Sequence, residues 1–165
     1  MELKRILRHL ATGRGAVRRA FPPRALEAIE NAIGEAEAHN DGQIRFAAEA
    51  ALDVAPLFSG QTARQRALEI FSSLRVWDTE RNNGVLIYLL LADRRVEIVA
   101  DRGVHAKLGQ AVWDAMCRDM ETAFGGGEFE RGVISGIAAV GAEMSRHFPA
   151  PANKQNEMDD RPVLL

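Results

Sequence analysis

Seven consecutive residues, Val85 to Leu91, carry no charge and only one polar atom in their side chains, the Tyr88 hydroxyl. The run is too short to cross a bilayer as a helix, which takes about 20 residues, and its composition suits a strand buried on both faces. A polar turn, Ala92-Asp93-Arg94-Arg95, separates it from a second run, Val96 to Ala100. There Val96, Ile98 and Ala100 alternate with Glu97 and Val99, as in a strand nearer a sheet edge. Two such runs joined by a short turn predict an antiparallel hairpin. The segments before and after it read as helix able to cover it.

The 165 residues fit one domain with a sizeable core. A formal charge of −2 argues against a general nucleic-acid binder. Charge is unevenly placed, however. Met1 to Arg24 holds seven basic residues (Lys4, Arg5, Arg8, Arg14, Arg18, Arg19, Arg24) and one acid, Glu2, so residues 1–20 form a basic segment suited to an acidic protein partner. Leu3, Ile6, Leu7 and Leu10 share a helical face there, which can pack on its own domain, on a partner, or on a lipid surface. Thr12 to Arg19 reads as a flexible connector. The lone cysteine, Cys117, excludes an intramolecular disulfide and the usual thiolate zinc cluster, and its apolar helical setting predicts a buried structural thiol. No apolar stretch is long enough for a transmembrane span, and the start lacks the long hydrophobic core of a signal peptide, so a cytoplasmic location is expected.

Taken in order, Pro22-Pro23 opens a helix that runs to about Ala38 with Leu26, Ile29 and Ile33 inward, and His39-Asn40-Asp41-Gly42 stops it. Gln43 to Ala50 alternates as a strand, with Arg45 and Glu49 on one face. Asp53 to Gly60 is expected to be a loop. Thr62 can cap a helix from Ala63 to about Leu74, after which a short extra strand around Leu74 to Trp77 has room to form, with Trp77 covering the sheet edge. Beyond the hairpin, a turn at Asp101 to His105 leads to a helix from about Lys107 to Phe124, a Gly125-Gly126-Gly127 break, and a helix from Phe129 to His147. Gly132, Gly136 and Gly141 permit close packing. Residues 150–165 are expected to form a mobile tail. Helices before, between and after three strands predict a single layered α/β domain over 21–149.

The order Asn82-Asn83-Gly84-Val85-Leu86-Ile87, then a second strand ending at Asp101-Arg102-Gly103, resembles the signature of the TPM domain family. The segment Gly127-Glu128-Phe129-Glu130-Arg131-Gly132-Val133 and the strand from Gly42 to Glu49 are similar to further family elements. The likeness spans residues 21 to 148. This family includes a thylakoid lumen protein of photosystem II repair and related bacterial proteins, and the resemblance implies an α/β/α sandwich with a central sheet of about four strands. It also implies two activities: calcium binding at loops beyond the sheet, and acid phosphatase chemistry. The chain departs from the family where Asn82-Asn83-Gly84 replaces Asp-Asn-Gly and Asp101-Arg102-Gly103 replaces Gly-x-Gly.

Strand ends gather loops that are distant in sequence, and open α/β sheets place ligands there. Asp53, Asp78, Glu80, Asn82, Asn83 and Asp101 are the oxygen donors available to a hard cation such as calcium or magnesium, with Asp78, Asn82 and Asp101 the candidate metal ligands. The competing reading is that these residues form turns and caps, Asn83-Gly84 being a common turn pair. A phosphoester hydrolase would draw on Asp78 or Asp101 for nucleophile or water activation, Arg102 or Arg45 for phosphoryl oxygens, and His105 for proton transfer. Without a nucleophile-base pair in a recognisable motif, the leading expectation is a noncatalytic binding or assembly-support module. A metal-dependent acid phosphatase-like hydrolase is the alternative.

Overall fold

The computed structural model describes residues 2–165. Its centre is a four-stranded sheet in the order β3-β2-β1-β4, built from β1 (Gln43–Glu49), β2 (Gly84–Leu90), β3 (Arg95–Ala100) and β4 (Val163–Leu164). All seven residues of β2 are buried. It lies between β1, with which it runs parallel from Gln43 opposite Gly84, and β3, with which it forms the antiparallel hairpin from Val85 opposite Ala100. A 3₁₀ turn at Leu91–Asp93, with Arg94 left-handed at φ 50°, closes that hairpin.

Strand alternation divides the core in two. Ile44, Phe46 and Ala48 of β1 join Val85, Ile87 and Leu89 of β2 on one face, under α3 (Pro23–Glu37), α7 (Gln110–Gly125) and α8 (Phe129–His147). On the other face Ala47, Leu86, Tyr88, Leu90 and Val99 lie under α5 (Ala63–Ser73), with Ile6 of α1 (Glu2–Ala11) and Met158 of the tail. Each fully buried Leu or Ile is worth about 1.5–3 kcal/mol, so these two layers hold the sandwich together. The expected α/β/α architecture is therefore present. Pro23 opens α3 at its first position, where the missing N–H costs nothing. Thr62 and Gln65 form a reciprocal capping box at α5. In α8, a Cβ on Gly141 would lie 2.7 Å from the Ala36 Cβ of α3, which accounts for the glycine at that crossing.

Several local expectations are corrected. Thr12 to Arg19 is mostly helical, as α2 (Arg14–Ala20), and α4 (Val54–Phe58) replaces the expected loop. Asp101 caps α6 (Arg102–Leu108), and Gly109 at φ 76° separates it from α7, dividing what the sequence suggests is a turn and one helix. Leu74 to Trp77 is a turn, and Trp77 is 49% exposed and does not cover the sheet edge. The fourth strand instead comes from the tail, where Val163 and Leu164 pair with Ala47 and Ala48. Lys154 anchors the same segment by donating to the carbonyls of Glu37 (2.8 Å) and Gly42 (2.9 Å). Gln43 Oε1 accepts from the Glu157 and Met158 amides, both at 2.8 Å.

Candidate functional site

Register decides which candidate residues can meet. Because β1 and β2 are parallel and β3 runs back, the loops before Gln43, before Gly84 and after Ala100 share one end of the sheet. Asn82, Asn83 and Asp101 lie at that end, the amino end of the parallel pair. Asp53 follows β1 at the opposite end, about 20 Å away by the rise of a seven-residue strand, so it leaves the candidate set.

The loops are locked by short backbone contacts. The Asp101 amide donates to the Gly84 carbonyl at 2.8 Å. Gly103 packs against the Asn82 carbonyl so closely that a Cβ there would come within 2.7 Å of that oxygen. Asn82 takes a left-handed φ of 52°, a conformation Asn tolerates better than most residues. Asn83, read from the sequence as a turn former, is 1% exposed and acts as a clamp. Its amide donates to Thr79 Oγ1 at 3.1 Å and its side-chain NH₂ donates to the Asp41 carbonyl.

Two oxygens at this junction are enclosed and accept no hydrogen bond from the protein: Asn83 Oδ1 and Asp101 Oδ2. Asp101 is 6% exposed, and its other oxygen, Oδ1, accepts from the Arg102 amide at 2.6 Å. A buried carboxylate oxygen without a donor is costly, and a cation or an ordered water removes the cost. Oxygen donors of this type fit calcium or magnesium. Asp78 is exposed, and among the described residues no hydrogen bond joins its carboxylate to Asn82 or Asp101. The structure thus packs the loops of Asn82 and Asp101 together, while Asp78 is exposed.

Two acids outside the predicted donor set also reach this end. Asp41 pairs with Arg81 at 2.9 Å, and Glu157 of the tail accepts from the Glu80 amide at 2.9 Å. The stop signal at Asn40-Asp41-Gly42 marked a turn without showing what faced it, and nothing local in the sequence placed Glu157. Beneath them sits Glu37, whose Oε1 accepts from the Ile44 amide at 2.6 Å and whose Oε2 lies 3.5 Å from Lys154 Nζ. Burial pushes its carboxyl up to about 7, against the opposing pull of the Ile44 amide and Lys154.

Arg45 and Glu49, on one face of β1, do not pair with each other, and Glu49 belongs to a different cluster. Glu49 accepts two bonds from Arg66, both at 2.9 Å, and one from the Tyr88 hydroxyl at 2.6 Å, while Arg45 Nη1 is enclosed without a partner. Burial and the Glu49 charge push the Tyr88 phenol well above its ordinary range. Gly125-Gly126-Gly127 forms an interhelical turn whose last two amides donate to the Ala123 and Phe124 carbonyls and are not free for an anion. His105 is exposed on α6. Among the described residues, no cluster of three His, Cys, Asp or Glu side chains is arranged to hold a metal. Any cation here would therefore draw on amide and backbone oxygens as well.

Fold and site together define a small α/β/α sandwich with an oxygen-rich loop junction at the amino end of its parallel strands. The TPM domain family model matches residues 19–143, most of the chain, and the protein belongs to that family. It is also similar to the solved NMR structure of the BA42 protein from the psychrophilic bacterium Bizionia argentinensis. That likeness has 26% identity and a TM-score of 0.75, and covers 86% of this chain and 92% of the other. No curated protein matches the chain. No helix among the described residues is long and apolar enough to cross a membrane.

Proposed function

We propose that the domain is a noncatalytic binding or assembly-support module that takes a divalent cation, calcium or magnesium, at the loops beyond the amino ends of β1 and β2. The observation that carries this reading is the pair of enclosed, unpartnered oxygens, Asn83 Oδ1 and Asp101 Oδ2. Asp101 and Asn83 would hold the ion with help from Asn82, and Asp78 would complete the set from the rim. A bound cation would neutralise local negative charge and tie the loops together, making a partner-binding surface conditional on the ion. The single thiol, Cys117, suits a reducing compartment, and the cytoplasm is the proposed setting.

A second reading, metal-dependent hydrolysis of phosphoesters, has one observation in its favour: the exposed Arg102 follows Asp101 at the same end of the sheet. Calorimetric titration with calcium and magnesium, alongside a phosphoester panel, separates the two. The binding reading expects saturable heat that weakens in Asp101→Ala and no turnover. Metal-dependent turnover lost in Asp78→Ala and Asp101→Ala would establish the hydrolase instead, and no heat at millimolar metal would dispose of the site.

A further inference from the structure

Helix α1 is turned inside out. An amphipathic helix on a globular domain normally buries its apolar stripe and exposes its charges. Here Arg5 turns inward and pairs with Asp93 at 2.9 Å, while Arg8 reaches the same carboxylate at 3.2 Å from an exposed position. His9 is buried, accepting from the Leu52 amide at Nδ1 (3.0 Å). Its Nε2 lies 3.1 Å from Asp93 Oδ1, an electrostatic contact and not a well-aligned hydrogen bond. Burial pushes the Asp93 carboxyl up, but Arg5 and His9 outweigh it and hold the group below its usual range. Ile6 packs toward the sheet, while Leu3, Leu7 and Leu10, spaced i, i+4, i+7, are 70%, 58% and 61% exposed. The leucines on the predicted apolar face therefore look away from the domain.

The element packed beside α1 also exposes apolar side chains. Arg5 Nη2 donates to the Gln61 carbonyl at 2.8 Å, and the Leu52 amide reaches His9, so α1 is tied to residues 52–61. That segment exposes Val54 and Phe58 from α4. Five of the seven exposed large apolar side chains among the described residues thus lie on two linked elements at one end of the sheet. Residues 3–20 add six Lys or Arg and no acid, and residues 52–61 hold one acid, Asp53. Beside α1, a cleft of about 590 Å³ is bordered by Arg8, Arg19, Arg94 and Thr12, with Arg8 also paired to Asp93 next to the lining.

We propose that this end of the molecule docks on an anionic bilayer surface. Helix α1 lies along the membrane, Leu3, Leu7, Leu10 and Phe58 enter the acyl boundary, and the basic side chains meet lipid phosphates, one of which the Arg8-Arg19-Arg94 cleft can seat. A phospholipid surface supplies an apolar interior and a dense anionic layer together, which is what basic amphipathic helices use. A second copy is a poor occupant. It would set two basic segments against each other, and one face of a ten-residue helix, roughly 15 Å long, falls short of the ~800 Å² per partner of a stable interface.

The test is sedimentation of the full chain with phosphatidylcholine vesicles, with and without about 30% phosphatidylglycerol. Binding is expected only to the anionic vesicles, weakening as salt rises. The variant Leu3→Ser/Leu7→Ser/Leu10→Ser changes exposed positions, should keep the wild-type circular dichroism, and should bind at least about tenfold more weakly. Lys4→Gln/Arg14→Gln/Arg18→Gln should also weaken binding and flatten its salt dependence. Wild-type protein that stays in the supernatant, or a leucine variant that sediments like wild type, overturns the proposal. So does a light-scattering dimer abolished by the leucine variant without vesicle binding, which would give the face to a second copy. Retention on polyglutamate without vesicle binding would give it to an acidic protein, with the same consequence.

Discussion

Glu37 should make the protein less stable as pH rises through neutrality, and Glu37→Gln should remove that dependence. The carboxyl is 4% exposed as a residue and its pKa is pushed up by burial from 4.5 to about 7. The folded state therefore keeps a proton that the unfolded chain has released. The resulting stabilisation is full below pH 4.5 and is lost as pH rises through about 7. At 1.36 kcal/mol per pH unit, the separation corresponds to about 3 kcal/mol at most. Other carboxylates, such as Asp93 with its lowered pKa, act in the opposite sense as pH falls, so the readout is a difference. Urea unfolding of wild type and Glu37→Gln at pH 4 to 8 should show wild-type stability falling relative to the variant by about 3 kcal/mol. The reasoning fails if the difference is flat. It also fails if wild type gains on the variant as pH rises, because Lys154 and the Ile44 amide would then hold Glu37 ionised against burial.

Removing residues 159–165 strips β4 from the open edge of β1, and this variant should lose thermal stability and aggregate at concentrations where the full chain stays monomeric by light scattering. Tyr88→Phe deletes one charge-assisted hydrogen bond in a buried site and should cost about 1.5–3 kcal/mol in chemical denaturation, whereas Glu49→Ala also removes both Arg66 bonds, leaves Arg66 its 3.0 Å bond to Glu69, and should cost more than Tyr88→Phe. Burial pushes the Cys117 thiol up to about 12, so modification of the native protein by a thiol reagent at pH 8 should be slow, becoming rapid only in denaturant.

What could be read from the sequence followed local periodicity. The run at Val85 to Leu91 reports a central strand because its burial on both faces is written in consecutive residues, and Val96 to Ala100 alternates because β3 is an edge. The two-residue β4 has no period to detect, and it forms only because β1 offers an open edge to a tail anchored by Lys154. Helix α1 was legible as amphipathic, but its orientation was not. The acid that holds Arg5 inward, Asp93, lies more than 80 residues away. At the candidate site, the meeting of the Asn82 and Asp101 loops was legible because they flank strands whose pairing was predictable. Asp53 was misplaced because direction along the sheet is not visible in alternation, and Glu157 was missed because its route is tertiary. Asn83 was undervalued since a turn residue and a buried clamp look alike in sequence.

The most direct measurement for the cation site is the calcium titration of the backbone and side-chain amide resonances of the full chain. A site at the loop junction predicts saturable shifts concentrated at residues 78–84 and 101–104, including the Asn83 side-chain amide, and absent from Asp101→Ala. Unchanged spectra at millimolar calcium, or shifts centred on Asp53 at the far end of the sheet, would contradict it.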